Sequence, residues 1–411
     1  MNQKQLNIPL WSAFKFRDYR LLWISSMLGG LTMQIRVITS GFWLYEFTGS
    51  GLQLGILGII QLTAEIPAIL YGGVLADFLQ RKKLISLTQS FSLIVLSVLT
   101  ILSFKNILVP WHIYLATGIL SITLVLGNPA RSALTANVVP RKFLLHAVTT
   151  NTATMQASSI LAPIAFGLLV INLSIPYAFL LATLISIPAT LTPLLIKTNT
   201  DVHQNNTKIR PLKNIVSGFN YVKAHPILPG LYFLDFGVTI FSFYRQIIPL
   251  LAKKLFNGGA GAVTILTASN SLGGILGSFF VFFTSKIKSK GIVVLYATLL
   301  YGILLIFFGL ASSLIIGTII IALLGASDAV GMTTRQTIVQ LTTPNEMRGR
   351  AVSFHSVSAM TANNIGHFEV GVMSDIIGAN NTMILGGILS IFVVIIIWKT
   401  FSGVSEYKYS E

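Results

Sequence analysis

Twelve stretches of mostly apolar residues, each long enough to span a bilayer as a helix, constrain this chain more than any other feature. They fall at 20–46, 52–76, 84–104, 108–136, 144–172, 176–196, 227–256, 262–284, 291–310, 313–340, 350–377 and 379–399. A helix needs about 20 residues to cross the hydrocarbon layer. A β-barrel would instead show alternating segments of about ten residues, and these runs are longer and uniformly apolar. Composition agrees: 53% of the 411 residues are hydrophobic and only 10% are charged, whereas a soluble domain carries about 25% charged residues. The sequence predicts an all-α membrane protein with twelve transmembrane helices.

The bases fix the orientation. Of the 28 Lys and Arg residues, 21 fall in the N-terminal segment, in alternate loops and at the C-terminus, while Lys105, Lys253 and Lys254 occupy the opposite loops. This positive-inside bias places both termini in the cytoplasm. It also accounts for the net charge of +16 without nucleic acid. Lys15, Arg17 and Arg20 precede the first run, which has no small-residue cleavage site and reads as a retained helix. With no cysteine, disulfides and thiolate metal sites are excluded. The six histidines show no metal-ligand spacing, so neither metal nor cofactor is expected. No G-x-x-x-x-G-K-[ST] loop and no nucleophile–His–acid set occurs, so the chain is expected to be neither ATP-driven nor an enzyme.

One long polar stretch, 197–225, divides the chain into six-helix segments at 1–196 and 226–411. Its LKNIVSGFNYV portion reads as an interfacial helix or as a plain linker. The two segments repeat each other. A shift of 204 residues superposes Gly127 on Gly331, Arg131 on Arg335, Pro140 on Pro344, Ala147 on Ala351, Val148 on Val352 and Gly167 on Gly371. A slightly different shift brings Arg36 near Arg245. Parallel six-helix repeats suit a secondary transporter that holds a small molecule between its halves near the midplane. Nothing in the sequence requires an oligomer, so a monomer in contact with lipid is expected.

The stretch GGVLADFLQRKK, between the second and third runs, resembles the loop signature of the major facilitator superfamily. Gly73, Asp77, Arg81, Lys82 and Lys83 carry the resemblance, with Gln80 in place of the usual glycine. It implies two pseudo-symmetric six-helix bundles and a loop that latches one conformation. RDYRLLWISSMLGG, LYEFTGSGLQLGILGIIQLTAEIP, GNPARSALTANVVP and AVTTNTATMQASSILAP are similar to the exporter subgroup that includes enterobactin and macrolide exporters. Ala162-Pro163 with Gly167 partly matches the Gly-Pro motif of exporters. IGHFEVGVMSDIIG (365–378) resembles the eleventh helix of siderophore-exporting members. The resemblance covers nearly the whole chain and implies proton-driven export by alternating access.

Four Arg lie inside the apolar runs: Arg36, Arg131, Arg245 and Arg335. A charge in a bilayer is costly and should face a cavity or a partner. The resembling fold lines its cavity with the four helices that hold them. One reading is a cationic cavity for an anionic, carboxylate-type solute, because guanidinium binds carboxylates in bidentate fashion. The other is structural pairing, with Asp77 or helix ends as partners for Arg131 and Arg335. Four acids, Glu65, Asp235, Asp328 and Glu369, are candidates either for proton coupling or for static salt bridges. Asp235 and Arg245 are too far apart along one helix to pair directly. His355 and His367 read mainly as hydrogen-bonded interior histidines. Multidrug or macrolide efflux remains the alternative to siderophore export, since cationic or neutral drugs would favour acids over Arg. Uptake by the same fold, or a non-transporting sensor, stands further off.

Overall fold

A backbone in lipid must satisfy its own polar groups, so apolar runs of this length become helices. The computed structural model describes residues 9–78, 80–198, 211–284 and 287–408, and among them no strand occurs. The helices are α1 (Arg17–Thr48), α2 (Gly51–Phe78), α3 (Arg81–Phe104), α4 (Pro110–Val138), α5 (Leu144–Asn172) and α6 (Ile175–Leu191). They continue as α7 (Pro211–Ala224), α8 (Leu228–Ser242), α9 (Ile248–Phe256), α10 (Ala260–Thr284) and α11 (Lys290–Leu310). The last four are α12 (Leu314–Thr342), α13 (Asn345–Ile376), α14 (Ala379–Thr400) and the short α15 (Ser402–Glu406).

Among the described residues, ten helices are long and apolar enough to cross a membrane, or eleven if the bent pair Ile215–Ala224 and Leu228–Phe256 is one span. The expected run at 350–377 lies in α13, which has 32 residues but also Arg348, Arg350, His355, His367, Glu369 and Asp375. Its length suits a span and its apolarity falls short, so among the described residues ten or eleven of the twelve expected spans are apolar enough to cross. Residues 211–224 of the polar stretch are helical, and 199–210 lie outside the described residues.

The expected seventh run, 227–256, is broken. α8 ends at Ser242, a 3-10 turn covers Arg245–Ile247, and α9 resumes at Ile248. Pro249 supplies the reason. It has no N–H to give to the Arg245 carbonyl, and its ring crowds that carbonyl.

The chain forms two compact units, Met1–Ser40 with Thr63–Pro211, and Gly41–Leu62 with Leu212–Glu411. In the first unit, Tyr19, Leu22, Leu84, Ile85, Leu134 and Ala147 pack together, and the Tyr19 hydroxyl donates to the Ala147 carbonyl at 3.0 Å. In the second, Leu231, Tyr232, Leu234, Ile338 and Ala351 do the same, and Tyr232 donates to the Ala351 carbonyl at 3.1 Å. Ala147 and Ala351 are matched positions of the sequence repeat, so the repeat carries a shared tertiary contact. α10 and α12 cross with backbones touching. A Cβ on Gly273 would strike the Ala322 carbonyl, and one on Gly277 the Ala326 carbonyl. This is the small-residue packing of membrane helices. Large apolar side chains such as Phe279, Phe282, Phe283, Ile315 and Phe392 point outward, as a lipid solvent allows.

Candidate functional site

The second unit builds its polar site around the α8 break. The turn after Ser242 carries Arg245, whose Nη2 donates to Asp328 Oδ2 on α12 at 2.6 Å. These two side chains stay 48% and 39% exposed, toward a cavity of about 330 Å³. Two turns further along α12, Arg335 Nη2 meets Asp235 Oδ1 of α8 at 2.5 Å, and there the exposures are 9% and 14%. Both pairs line the same cavity, with Tyr244, Tyr301 and His355. The separations along α8 and along α12 rule out pairing within a helix, and the pairs form across the two helices. A ring of neutral donors and acceptors supports them. Asn270 Nδ2 donates to the Tyr244 hydroxyl at 2.5 Å, and Tyr301 donates to the Ser242 carbonyl at 3.0 Å. Among the described residues Arg335 Nε is buried without a hydrogen-bond partner, and Asp235 anchors this guanidinium. The His355 ring lies 4.9 Å from the Tyr232 ring.

The first unit holds the other two Arg differently. Arg36, 7% exposed, and Arg131 line one pocket of about 60 Å³ with Gln89, Ser92, Thr123 and Asn128. Arg131 Nη1 donates to Ser26 Oγ at 3.3 Å and also borders a second cavity of about 260 Å³ with Trp23, Asn151 and Met155. Neither Arg forms an ion pair among the described residues. Glu65 is close enough for its charge to act on Arg36.

The structure thus brings together Arg245 with Asp328 and Arg335 with Asp235 in one cavity, and Arg36 with Arg131 in another. Glu369 is half-buried on α13 and joins neither cavity. His367 is fully buried and neither ring nitrogen has a hydrogen-bond partner among the described residues, against the expectation of a hydrogen-bonded interior His. Gly73 and Asp77 of the loop signature lie outside the residues whose side chains are described. The bases that follow them contact carbonyls. Arg81 Nη1 donates to Ala133 O at 3.4 Å and Lys82 Nζ to Ile196 O at 3.1 Å, while Lys83 is exposed. Among the described residues no cluster of His, Asp and Glu could hold a metal ion.

Two features escaped the sequence. Asp375 near the end of α13 accepts hydrogen bonds from Ser50 Oγ at 2.7 Å, Gly51 N at 2.7 Å and Leu52 N at 2.8 Å, capping the start of α2. An acid one turn from the end of an apolar run reads as an interfacial residue, and nothing near it in sequence names its partner. The second is the α8 break, for which Pro249 was the available signal.

Residues 8–407 match the sequence profile of a family described as transmembrane secretion effector. The enterobactin exporter EntS of Escherichia coli O1:K1 / APEC is 26% identical over 351 residues, covering 82% of this chain and 79% of that protein. Among solved structures, the nucleoside transporter NupG superposes with a TM-score of 0.73 at 14% identity, covering 95% of this chain and 100% of that one. A D-xylose-proton symporter superposes with a TM-score of 0.72 at 13% identity, covering 95% and 99%. At these identities the structures establish the fold alone.

Proposed function

Because the chain belongs to the transmembrane secretion effector family, a branch of the major facilitator transporters, we propose that it exports a siderophore across the bacterial cytoplasmic membrane by proton-driven alternating access. The similarity to an enterobactin exporter along most of both chains is the observation that carries this reading. In it, α13 counts as a span, the α8–α9 pair is one broken span, six-helix bundles occupy 1–196 and 226–411 around the cytoplasmic linker 197–225, both termini are cytoplasmic, and the transporter acts as a monomer.

Arg36, Arg131, Arg245 and Arg335 bind an anionic, carboxylate-type solute in this reading. Asp235 and Asp328, with Glu369 and Glu65, are the candidate proton carriers. Protonation of one of these acids from outside accompanies release of the solute, and its deprotonation to the cytoplasm resets the site. Gly73, Asp77, Arg81, Lys82 and Lys83 form the conformational latch.

Drug or macrolide efflux is the second reading, and one observation favours it. Both Arg of the second unit already face carboxylates, so its cavity is near neutral and is lined by Tyr244 and Tyr301. Deleting the gene in its host and growing cells without iron separates the two. Siderophore export predicts loss of siderophore from the medium with build-up inside the cells, restored by the intact gene. Unchanged secretion together with new drug sensitivity points to efflux.

A further inference from the structure

The two units treat their intramembrane arginines in opposite ways, and the repeat shows why. Arg335 reaches Asp235 on α8, whereas its repeat partner Arg131, among the described residues, reaches only the hydroxyl of Ser26 on α1. Arg245 is paired with Asp328, and the 204-residue register that joins Arg131 to Arg335 puts Leu124 at the place of Asp328. Leu124 lines the pocket that holds Arg36 and Arg131. Thus the second unit supplies a carboxylate for each Arg, and the first supplies none at the matching positions. Glu65 adds the attraction of its charge to Arg36 alone.

Two guanidinium groups in a low-dielectric pocket are strongly disfavoured unless anions balance both, and the charge of Glu65 acts on Arg36 and not on Arg131. The pocket holds neutral hydrogen-bonding groups well suited to one, namely Gln89, Ser92, Thr123 and Asn128. Its size of about 60 Å³ sets the class of ligand. A water molecule needs roughly 10–15 Å³ on the same measure, so the space between the two Arg takes one small anionic group with a little water.

We infer that Arg36 and Arg131 form a small-anion site inside the first unit, which takes a halide-sized ion or a single carboxylate in the role that Asp328 and Asp235 play in the second. The inference refines the proposed export of an anionic solute and rests on that reading only for the source of the anion, which is either a free ion or one anionic group of the solute.

The full-length protein in detergent is titrated with sodium formate or sodium chloride against sodium gluconate at constant ionic strength, and its unfolding midpoint is followed. Wild type is expected to show a saturable rise with formate and chloride beyond any rise with gluconate. Leu124→Asp places a carboxylate in the pocket, so it should weaken the apparent affinity at least about tenfold and raise the midpoint without added anion. Leu124→Asn, a neutral control, should keep the response, and Arg36→Gln should lose it. Equal midpoints in all three salts for wild type, or an undiminished formate response in Leu124→Asp, would overturn the site. The source is read in everted membrane vesicles prepared in gluconate. Transport that requires added chloride points to a free ion, and transport that does not, with formate displaced by the purified siderophore, points to the solute's own group. A formate response in a protein whose deletion leaves siderophore secretion intact sinks the export reading and leaves the site standing. Normal siderophore export with no formate response does the reverse.

Discussion

Asp235 on α8 and Arg335 on α12 meet at 2.5 Å with both side chains almost withdrawn from solvent, while Arg245 and Asp328, in the same cavity, meet at 2.6 Å with both half-open to it. The inner pair is the costlier one to break, because removing one partner leaves an uncompensated charge. Arg335→Ala is expected to lower stability by about 3 kcal/mol, read as a fall in unfolding midpoint in detergent. Asp235→Asn combined with Arg335→Gln removes both charges and should recover most of that loss. The same comparison at Arg245 and Asp328 should show a much smaller cost for the single change.

The Asp375 cap predicts a separate effect. Its carboxylate accepts from one hydroxyl and two backbone N–H groups at the start of α2. Hydrogen bonds to a charged group are each worth about 1.5–3 kcal/mol. Asp375→Ala should destabilise by about 2 kcal/mol, and Asp375→Asn, which keeps an acceptor, should cost less. Hydrogen exchange at Gly51 and Leu52 should speed up in the first variant.

Both ion pairs show how far the sequence could be read. Charged residues in apolar runs are conspicuous, so Arg36, Arg131, Arg245, Arg335, Asp235 and Asp328 stood out at once. Their partners did not, because each pair joins two helices far apart in the chain, and helix rotation decides which faces meet. The repeat matched Arg131 to Arg335, yet it could not show that one is neutralised by a carboxylate and the other touches a serine. α13 was placed within a few residues although its polar side chains weaken it as an apolar span. The α8 break was hidden because a proline inside an apolar run more often bends a membrane helix than ends it.

The α10–α12 crossing gives a steric prediction. Gly273→Leu drives a side chain into the Ala322 carbonyl and should abolish accumulation of folded protein in the membrane. Gly259, at the approach to α10, has open space where a Cβ would stand, so Gly259→Ala should accumulate normally. The pair separates a packing requirement from a general intolerance of glycine replacement, and membrane-fraction blotting reads it.

His225, between α7 and α8, gives a pH dependence. Its Nδ1 accepts from the backbone N–H groups of Ile227 at 3.2 Å and Leu228 at 3.3 Å, which requires that nitrogen unprotonated. Burial holds its pKa below the ordinary value of 6.5, with a backbone hydrogen bond to Thr342 opposing that shift. The unfolded chain therefore binds more protons between the two pKa values, so stability rises with pH there. The contribution is complete above 6.5 and is lost as the pH falls through the lowered folded value. Replacing His225→Gln should flatten this part of the stability profile, measured by unfolding midpoints from pH 8 down to about 5.

Transport itself is tested most directly in everted membrane vesicles, whose cytoplasmic face is outward. Siderophore purified from iron-starved cultures of the host is added outside, and an inside-acid pH gradient is imposed. The account predicts accumulation inside vesicles that contain the protein, collapse when a protonophore dissipates the gradient, and loss in Arg36→Ala and Asp328→Asn variants that still reach the membrane. Accumulation no greater than in vesicles lacking the protein, with the gradient intact, would contradict siderophore export.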